Sequence, residues 1–429
     1  MNKKLDKRKL ETKPYKGVRD FYPPDMAIQN YIFGKMRKIT ESFGYVEYGA
    51  SILEPTELYE AKSGEELIKE QTYSFIDRGG RNVTLRPEMT PTIARIIAGK
   101  RQELSFPLRW YSIPNAFRYE RPQRGRVREH WQLNADLFGA DGIDADAEII
   151  SLAEQILKEL GAKNTDFEIK INFIGILTRY LKTEFKLDDK NTNTLIKTMD
   201  KYEKISQEDF EKITNDIIGK EKSAKLLKSL KEKNFEEFSS YKEIKYLEEL
   251  KNKLSKSGIS ITISPFLTRG FDYYTGMVFE VYDTDTENNR SLFGGGRYDN
   301  LLEIFGVKKI PAVGFGMGDA PIQNFLERRD LIPKYTSSTN LMLCVLDSKN
   351  IPYAQNLAKE LRSNNLNIAV NLSNKKIGEQ IKTADKQNIP FVICIGEKEE
   401  KTDKFKIKKL ATGEETEANK NEIADIIKL

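Results

Sequence analysis

Arginines and carboxylates are concentrated in two short stretches of the chain. Residues 117–136 read FRYERPQRGRVREHWQLNAD and carry five arginines between Arg118 and Arg128. Residues 267–282 read LTRGFDYYTGMVFEVY and place Arg269 and a carboxylate beside two tyrosines. Guanidinium groups bind phosphate and carboxylate oxygens through paired hydrogen bonds. Together the two stretches suit a site that holds a small zwitterion next to a polyphosphate.

The first stretch is predicted to form an antiparallel hairpin with a cationic tip. Arg118 and Glu120 alternate along one strand and so face one side of it. Gln132, Asn134 and Asp136 share a face of the returning strand in the same way. A basic hairpin also occurs on nucleic-acid-binding or merely solvated surfaces, but the polar floor favours a small-molecule pocket.

Two further groups of side chains are weaker candidates when each is taken alone. In VTLRPEMTPTIAR, Glu88 and Thr90 would bind an ammonium group, although a salt-bridged turn with a threonine cap fits this run better. In LTRGFDYYTG, Arg269 would take a carboxylate while Tyr273 or Tyr274 offers a hydroxyl and a ring. A twisted strand with a surface ion pair is the alternative there.

Histidine and cysteine are too rare to carry the chemistry. His130 is the only histidine and Cys344 and Cys394 are the only cysteines, which excludes most histidine-based triads and any usual zinc site. Both cysteines lie in apolar, strand-like runs and are predicted to be buried thiols in a reducing compartment. The run GFGMG has neither the ending of a P-loop nor the spacing of a dinucleotide fingerprint. Arginine, carboxylate and tyrosine groups remain, with Mg²⁺ as a further candidate.

Composition describes a charge-rich chain with ample core. The 429 residues are 39% hydrophobic and 31% charged, with a formal net charge of +5, which permits a polyanionic partner without requiring one. The mean hydropathy is -0.57, and no apolar run approaches the roughly 18 residues of a membrane helix. The basic N-terminus has no apolar core, so we expect no signal peptide and no membrane contact.

Changes in composition along the chain predict its domains. A stretch rich in Lys, Glu and Leu and without proline is predicted to be a helical insertion, serving either as a solvated lid or as a contact for a polyanion. Beyond the linker KYTSST, alternating strands and helices predict a small, mostly parallel α/β sheet. The predicted division is a tail at 1–14, a core at 15–333 that includes the insertion at 175–256, and an α/β domain at 340–429.

Six motifs, taken in their order along the chain, resemble those of histidyl-tRNA synthetases. They are GVRDFYP, TLRPEMT, FRYERPQRGRVRE, LTRGFDYYTG, FGGGRYD and PAVGFGMG, and the resemblance runs from about Tyr15 to Leu429. It implies an α+β class II core, an antiparallel sheet flanked by helices, and a homodimer whose edge is built near Leu53–Pro55. It also implies that the insertion lies near the tRNA acceptor stem and that the C-terminal domain binds the anticodon.

The resemblance also implies a reaction, and the roles of its residues. Histidine would attack the α-phosphate of ATP, which enters with Mg²⁺, and the histidyl-adenylate would then charge tRNA-His in the cytoplasm, with no zinc involved. Arg118 and Arg269 would be catalytic, at the α-phosphate. The positions that match histidine-binding residues are Glu88, Thr90, Gln132, Asp136, Arg269, Tyr273, Tyr274 and Tyr298. The positions that match ATP-binding residues are Arg118, Glu120, Arg121, Arg126 and His130.

Two positions depart from the family pattern at the adenine end. The third class motif usually ends in Gly-Leu-Glu-Arg, and Pro321 occupies the place of that arginine here. His130 stands where a phenylalanine is usual, and Asp136 where glutamate is common. The alternative interpretations are a catalytically silent paralogue, such as the regulatory subunit of ATP phosphoribosyltransferase, and a non-catalytic nucleic-acid-binding module.

Overall fold

The computed structural model describes residues 11–60, 71–120, 127–200, 202, 205–232, 238, 240–267, 273–285, 287–288 and 291–428, without the side chains of residues 200, 231 and 232. Its contacts divide the chain into two compact units, Met1–Ile332 and Pro333–Leu429. The first ten residues of the predicted tail lie outside the described residues.

Strands dominate the centre of the first unit. They are β1 (Val46–Glu47), β2 (Leu53–Pro55), β3 (Tyr73–Ile76), β4 (Asn82–Leu85), β5 (Leu108–Ser112), β6 (Asn115–Phe117), β7 (Glu129–Phe138), β8 (Phe167–Phe173), β9 (Ile261–Ile263), β10 (Met277–Asp283), β11 (Ser291–Arg297) and β12 (Ala312–Gly318). In the described chain, nine of them form one sheet in the order β1-β5-β7-β12-β11-β10-β8-β9, with β6 paired to β7. Only the end pairs β1–β5 and β8–β9 of this sheet are parallel.

Helices flank this sheet. They are α1 (Pro23–Ser42), α2 (Glu57–Glu60), α3 (Thr90–Gly99), α4 (Ile143–Glu159), α5 (Ile176–Phe185), α6 (Asp189–Asp200), α7 (Gln207–Ile218), α8 (Lys220–Glu232), α9 (Lys242–Lys256) and α10 (Asp319–Glu327). A 3₁₀ helix covers Leu301–Phe305. Helices α5 to α9 occupy the stretch in which the sequence predicts helices.

Strand β7 separates the apolar core from the polar face of the sheet. Leu133, Ala135 and Leu137 are buried in the same core cluster as α1 and α4. Because side chains alternate along a strand, the residues between them point to the opposite face. Burying a leucine side chain stabilises the fold by roughly 1.5–3 kcal/mol. A shift of β7 by one residue would expose both leucines, so the register of this strand is firmly set. Its polar residues are therefore held on the other face.

That other face is covered by smaller elements. Helix α3 and the 3₁₀ helix pack there in a cluster that includes Ile93, Ile97 and Leu302. Strands β2, β4 and β3 form a separate antiparallel sheet in the order β2-β4-β3. Arg86 follows β4 and is 6% exposed. It donates to the carbonyl oxygens of Asn115 and Ala50 at 2.7 and 2.9 Å, which ties the small sheet to the β6 segment.

The second unit is an α/β domain with its own sheet. Its strands are β13 (Leu341–Val345), β14 (Ile368–Val370), β15 (Phe391–Ile395), β16 (Lys404–Lys409) and β17 (Glu415–Asn419), in the order β14-β13-β15-β16-β17. Its helices are α11 (Ile351–Ser363), α12 (Ile377–Lys386), α13 (Glu397–Thr402) and α14 (Ile423–Lys428), with 3₁₀ turns at Ser348–Asn350 and Lys420–Glu422. The first three strands are parallel, as predicted, and β16 and β17 add an antiparallel hairpin that was not predicted.

The predicted fold class is confirmed, and some local predictions are wrong. The glycines of FGGGRYD, a run that has the composition of a turn, lie within β11. Asp319 has the residue type of a helix cap, but it is the first residue of α10, and the cap is Gly318. Arg118 and Glu120 follow β6 instead of lying in it. Cys344 is buried as predicted, whereas Cys394 is only partly buried.

Candidate active site

A polar cavity of about 330 Å³ opens on the face of the main sheet opposite α1 and α4. Its walls come from β7, β10, β11 and β12, from the segment that follows β6, from the starts of α3 and α10, and from the segments before β10 and after β11. The residues that line it are Glu88, Thr90, Arg118, Glu120, Val127, His130, Gln132, Asn134, Asp136, Tyr273, Tyr274, Glu280, Ser291, Leu292, Phe293, Gly294, Tyr298, Gly314, Phe315, Gly316, Gly318, Ala320 and Pro321.

Glycines on β12 make room for the polar floor on β7. Gly314 pairs with Asp136 in the sheet, and Gly316 and Gly318 pair with Asn134 and Gln132. A Cβ atom at Gly314 would lie 2.4 Å from Asp136 Oδ1, and one at Gly316 would lie 2.1 Å from Gln132 Nε2. Close approach of side chains from the neighbouring strand therefore accounts for glycine at positions 314 and 316 of this strand.

Asp136 is the buried acid of this floor. It is 4% exposed, and the Tyr298 hydroxyl donates a hydrogen bond to its Oδ1 atom. Within the described part of the chain its Oδ2 atom is buried without a hydrogen-bond partner. Burial raises the pKa of Asp136 to about 7, against the opposing effect of the Tyr298 hydrogen bond. A ligand that places a hydrogen-bond donor in the cavity would therefore be stabilised by this carboxyl oxygen.

Three tyrosines form one wall beside this acid. The rings of Tyr273 and Tyr274 lie 4.9 Å apart, and that of Tyr273 lies 5.9 Å from Tyr298. The Tyr273 hydroxyl donates to Glu88 Oε2 at 3.1 Å, and Glu88 is 3% exposed. Two carboxylates and an aromatic wall therefore face the same end of the cavity. Such an end suits a small cationic group next to a flat ring.

Arg118 supplies the cation of the opposite wall. Its backbone N–H donates to the Arg128 carbonyl at 2.9 Å, which closes the hairpin where β6 ends. Its Nε donates to the Pro87 carbonyl at 2.9 Å, so the arginine is anchored to the segment that carries Glu88. Arg128 does not line the cavity. Its guanidinium group packs on Tyr119, with the guanidinium carbon 3.8 Å from the ring centre.

His130 and the start of α10 form the remaining end. Burial, together with the nearby charges of Arg118 and Arg19, lowers the pKa of His130 to about 3. The imidazole is therefore neutral at physiological pH and presents an uncharged ring. The start of α10 is fixed by Asp319, which accepts from Arg19 at 2.8 Å and from the Trp131 backbone N–H at 3.1 Å.

The cavity brings together every predicted site residue that falls within the described residues. These are Glu88, Thr90, Arg118, Glu120, His130, Gln132, Asp136, Tyr273, Tyr274 and Tyr298, and Pro321 lies with them. The predictions for Arg121, Arg126 and Arg269 lie outside the described residues. Sequence reasoning missed Glu280, whose signal is a lone carboxylate in the apolar strand MVFEVY.

The described residues contain neither a metal-binding cluster of His, Cys, Asp or Glu side chains nor a membrane-spanning helix. No group of three or more His, Cys, Asp or Glu side chains among them is arranged to hold a metal ion. No helix within the described part is long and apolar enough to cross a membrane.

The cavity thus has an acidic end walled by tyrosines and a cationic end, where Arg118 lies near the neutral His130 ring. The sequence that builds it matches a known family. Residues 17–319 match the family model described as histidyl-tRNA synthetase. The chain belongs to the histidyl-tRNA synthetase family. Residues 340–428 match the model described as anticodon binding domain. The family resemblance found in the sequence is therefore confirmed.

Curated relatives of this family extend over almost the whole chain. The histidine–tRNA ligase of Leptospira biflexa serovar Patoc is 40% identical over 416 residues, which are 95% of each chain. The histidine–tRNA ligase of Pyrococcus horikoshii is 36% identical over 429 residues, covering 96% of this chain and 98% of that one. The crystal structure of histidyl-tRNA synthetase from Nostoc has the same fold, with a TM-score of 0.76 at 23% identity, covering 97% of this chain and 99% of that one.

Proposed function

We propose that the chain is an ATP-dependent ligase that activates histidine and transfers it to tRNA-His. One observation carries this proposal: the buried Asp136 oxygen faces a tyrosine-walled cavity whose other wall holds Arg118. The Asp136 carboxylate would accept a hydrogen bond from an imidazole N–H, and Arg118 would bind a phosphate. The names of the curated relatives support the same reaction.

The amino-acid end would bind histidine through both of its polar parts. Asp136 and Tyr274 would contact the imidazole, and Tyr298 would hold Asp136 in place. The α-amino group would lie near Glu88, Thr90 and Gln132, where an acid, a hydroxyl and an amide line the cavity. Because Tyr273 donates to Glu88, it would position that carboxylate rather than react.

The chemical step would need positioning and charge neutralisation more than proton transfer. The histidine carboxylate oxygen forms a bond to the α-phosphorus of ATP, the bond from that phosphorus to the bridging oxygen breaks, and pyrophosphate leaves with the electron pair. Arg118 would stabilise the charge on the α-phosphate, and the resemblance assigns the same task to Arg269. A terminal ribose hydroxyl of the tRNA would then displace AMP.

The nucleotide end would bind MgATP as a substrate. Glu120, Arg121 and Arg126 are the proposed partners of ATP, and the neutral His130 ring would stack on adenine. The carboxylates of Glu120 and Glu280 line the cavity and are of the type that Mg²⁺ prefers. Pro321 would offer adenine an apolar surface without the charge of the arginine that is usual there.

The remaining partners follow from the proposed domains. We propose that 15–333 is the catalytic core, that its insertion at 175–256 lies near the acceptor stem, and that 340–429 binds the anticodon, with the chain acting in the cytoplasm. A homodimer would pair through the small sheet, where Leu53, Phe75 and Ile76 are 43%, 49% and 70% exposed. Light scattering of the purified chain would measure the dimer directly.

The regulatory-subunit alternative has less support. The curated relatives that span most of the chain are named histidine–tRNA ligase. A charging assay separates the two functions: the chain is incubated with ATP, Mg²⁺, labelled histidine and a tRNA-His transcript. A ligase accumulates acid-precipitable histidyl-tRNA, and a transcript with a changed anticodon serves as the control for recognition. No charging by folded chain, with a homologous ligase active on the same transcript, would contradict the proposal.

A further inference from the structure

The fold places the only two cysteines of the chain side by side. Cys344 lies in β13 and Cys394 in β15, and the two residues are direct partners in the parallel register of these strands. Paired residues on neighbouring strands project to the same face of the sheet. Both cysteines belong to the apolar cluster between the sheet and α12, which includes Met342, Ala384 and Val392.

The spacing of neighbouring strands brings the two sulfur atoms within reach of each other. Strands lie roughly 4.8 Å apart, and disulfides usually join Cα atoms about 4.4–6.8 Å apart. The two thiols are close enough to shift each other's pKa. A bridge between them would require rotation of side chains and a small shift of the strands, not unfolding of the unit.

The two thiols differ in exposure and in acidity. Cys344 is 0% exposed, whereas Cys394 is partly exposed to solvent. Interaction between the two thiols lowers the pKa of Cys394 and raises the pKa of Cys344. Around Cys394, Lys408 favours the thiolate while Glu399 and Glu415 oppose it. The thiolate is the form that reacts with oxidants, so Cys394 is the reactive member of the pair.

We propose that Cys394 and Cys344 form a reversible oxidation site, at which a peroxide converts the thiol pair into an intramolecular disulfide. The Cys394 thiolate attacks one peroxide oxygen, the O–O bond breaks, and Cys394 becomes a sulfenic acid while hydroxide leaves. The Cys344 sulfur then attacks the Cys394 sulfur, losing its proton, and water leaves as the S–S bond forms. Two thiols and one hydrogen peroxide give one disulfide and two waters.

This site is independent of the ligase proposal, because all of its residues lie in the second unit. The test uses the full chain treated with hydrogen peroxide, followed by denaturation, alkylation of the remaining thiols and intact-mass measurement. We expect a monomer that has lost two hydrogen atoms, takes up no alkyl group, and regains both thiols after dithiothreitol. Peptide mapping should give one cross-linked pair that contains residues 344 and 394.

Single-cysteine variants serve as matched controls. In Cys344→Ser the resolving thiol is absent, so Cys394 should accumulate sulfenic and sulfinic acid. In Cys394→Ser the buried Cys344 should stay reduced at the same peroxide dose, and circular dichroism checks that both variants fold. The proposal is overturned if wild-type chain keeps two alkylatable thiols at a dose that oxidises Cys394 in Cys344→Ser. Disulfides found only between two chains would overturn it as well.

Discussion

Tyr298 donates its hydroxyl hydrogen bond to one oxygen of Asp136, and the other oxygen of this carboxyl group is buried without a partner in the described part of the chain. The tyrosine fixes the direction of the carboxyl group while its second oxygen stays available. In the proposed function that oxygen accepts the imidazole N–H of histidine. A buried acceptor without a partner costs about 1–3 kcal/mol, so substrate binding would recover that cost.

Replacement of Asp136 by asparagine should remove a pH dependence of stability. The pKa of Asp136 is about 7 in the folded chain against a reference value of 3.8. Between these values the folded chain holds a proton that the unfolded chain has lost, so the group's contribution to stability falls as pH rises. We expect the melting temperature of Asp136→Asn, relative to wild type, to rise between about pH 5 and pH 8.

The control for this experiment is the exposed Asp385 in α12, which lies in the second unit. Asp385→Asn should differ from wild type by the same amount at both pH values. An equal difference at both pH values for Asp136→Asn would show that burial does not perturb the acid. At constant pH, Asp136→Asn should also raise the KM for histidine roughly tenfold, because a charge-assisted hydrogen bond is lost.

Replacement of His130 by phenylalanine should also change how stability depends on pH. Here wild-type stability falls as pH is lowered, whereas at Asp136 it falls as pH is raised. The folded pKa of His130 is about 3, below its ordinary value of 6.5. Between these values the unfolded chain binds a proton that the folded chain excludes, so wild-type stability falls as pH drops below 6.5. We expect His130→Phe to be more stable than wild type near pH 5 and close to it near pH 8.

His130→Phe should also retain binding of ATP, because a neutral ring is replaced by another neutral ring. The KM for ATP, measured at about pH 8, should change by less than about threefold. His130→Ala is the matched variant that removes the ring, and its KM for ATP should rise. If the phenylalanine and alanine variants have the same KM, the ring does not contact the nucleotide.

An alanine at Gly316 should damage the site and leave the fold intact. The added methyl group would lie 2.1 Å from Gln132 Nε2, so the flexible Gln132 side chain would have to turn away and break its hydrogen bond to Asn134 Oδ1. We expect the KM for histidine to rise at least tenfold, about 1.4 kcal/mol, with the circular dichroism spectrum unchanged. Gly34→Ala is the control, because nothing lies within 4 Å of its Cβ position in α1. A normal KM in Gly316→Ala would mean that Gln132 has no role in binding histidine.

Strands that carry site motifs could be predicted well, because their patterns have physical causes. On β7 the alternation of Gln132 and Asp136 with apolar residues predicts both the strand and the face that carries its polar side chains. The glycine spacing on β12 is explained only by the register with β7, which no local pattern supplies. Asp319 has the residue type of a helix cap, yet tertiary partners decide its role.

Other parts of the fold depend on contacts between distant residues and could not be predicted locally. The hairpin β16–β17 was missed, although KFKIKK alternates as an exposed strand does. The pairing of Cys344 with Cys394 follows from the order of the strands in the second sheet. Glu280 reaches the cavity only because β10 runs beside β11, so its carboxylate could be noticed in the sequence but not assigned to a site.

Restoring arginine at position 321 tests the nucleotide end. Pro321 lines the cavity in the first turn of α10, where the family usually has an arginine that covers adenine. We expect Pro321→Arg to lower the KM for ATP severalfold, because a cation is added near the polyphosphate. Pro321→Ala removes the ring without adding charge and is the matched control. Unchanged KM values for ATP in both variants would mean that Pro321 lies away from the nucleotide.

The most direct test of the proposed site is the exchange of labelled pyrophosphate into ATP by the wild-type chain, measured with each amino acid in turn. This reaction reports adenylate formation without tRNA, so it isolates the cavity from the second unit. We predict exchange with histidine and Mg²⁺ and none with the other amino acids. Folded chain that fails to exchange with histidine, or that exchanges equally with another amino acid, would contradict a histidine-activating site built around Asp136.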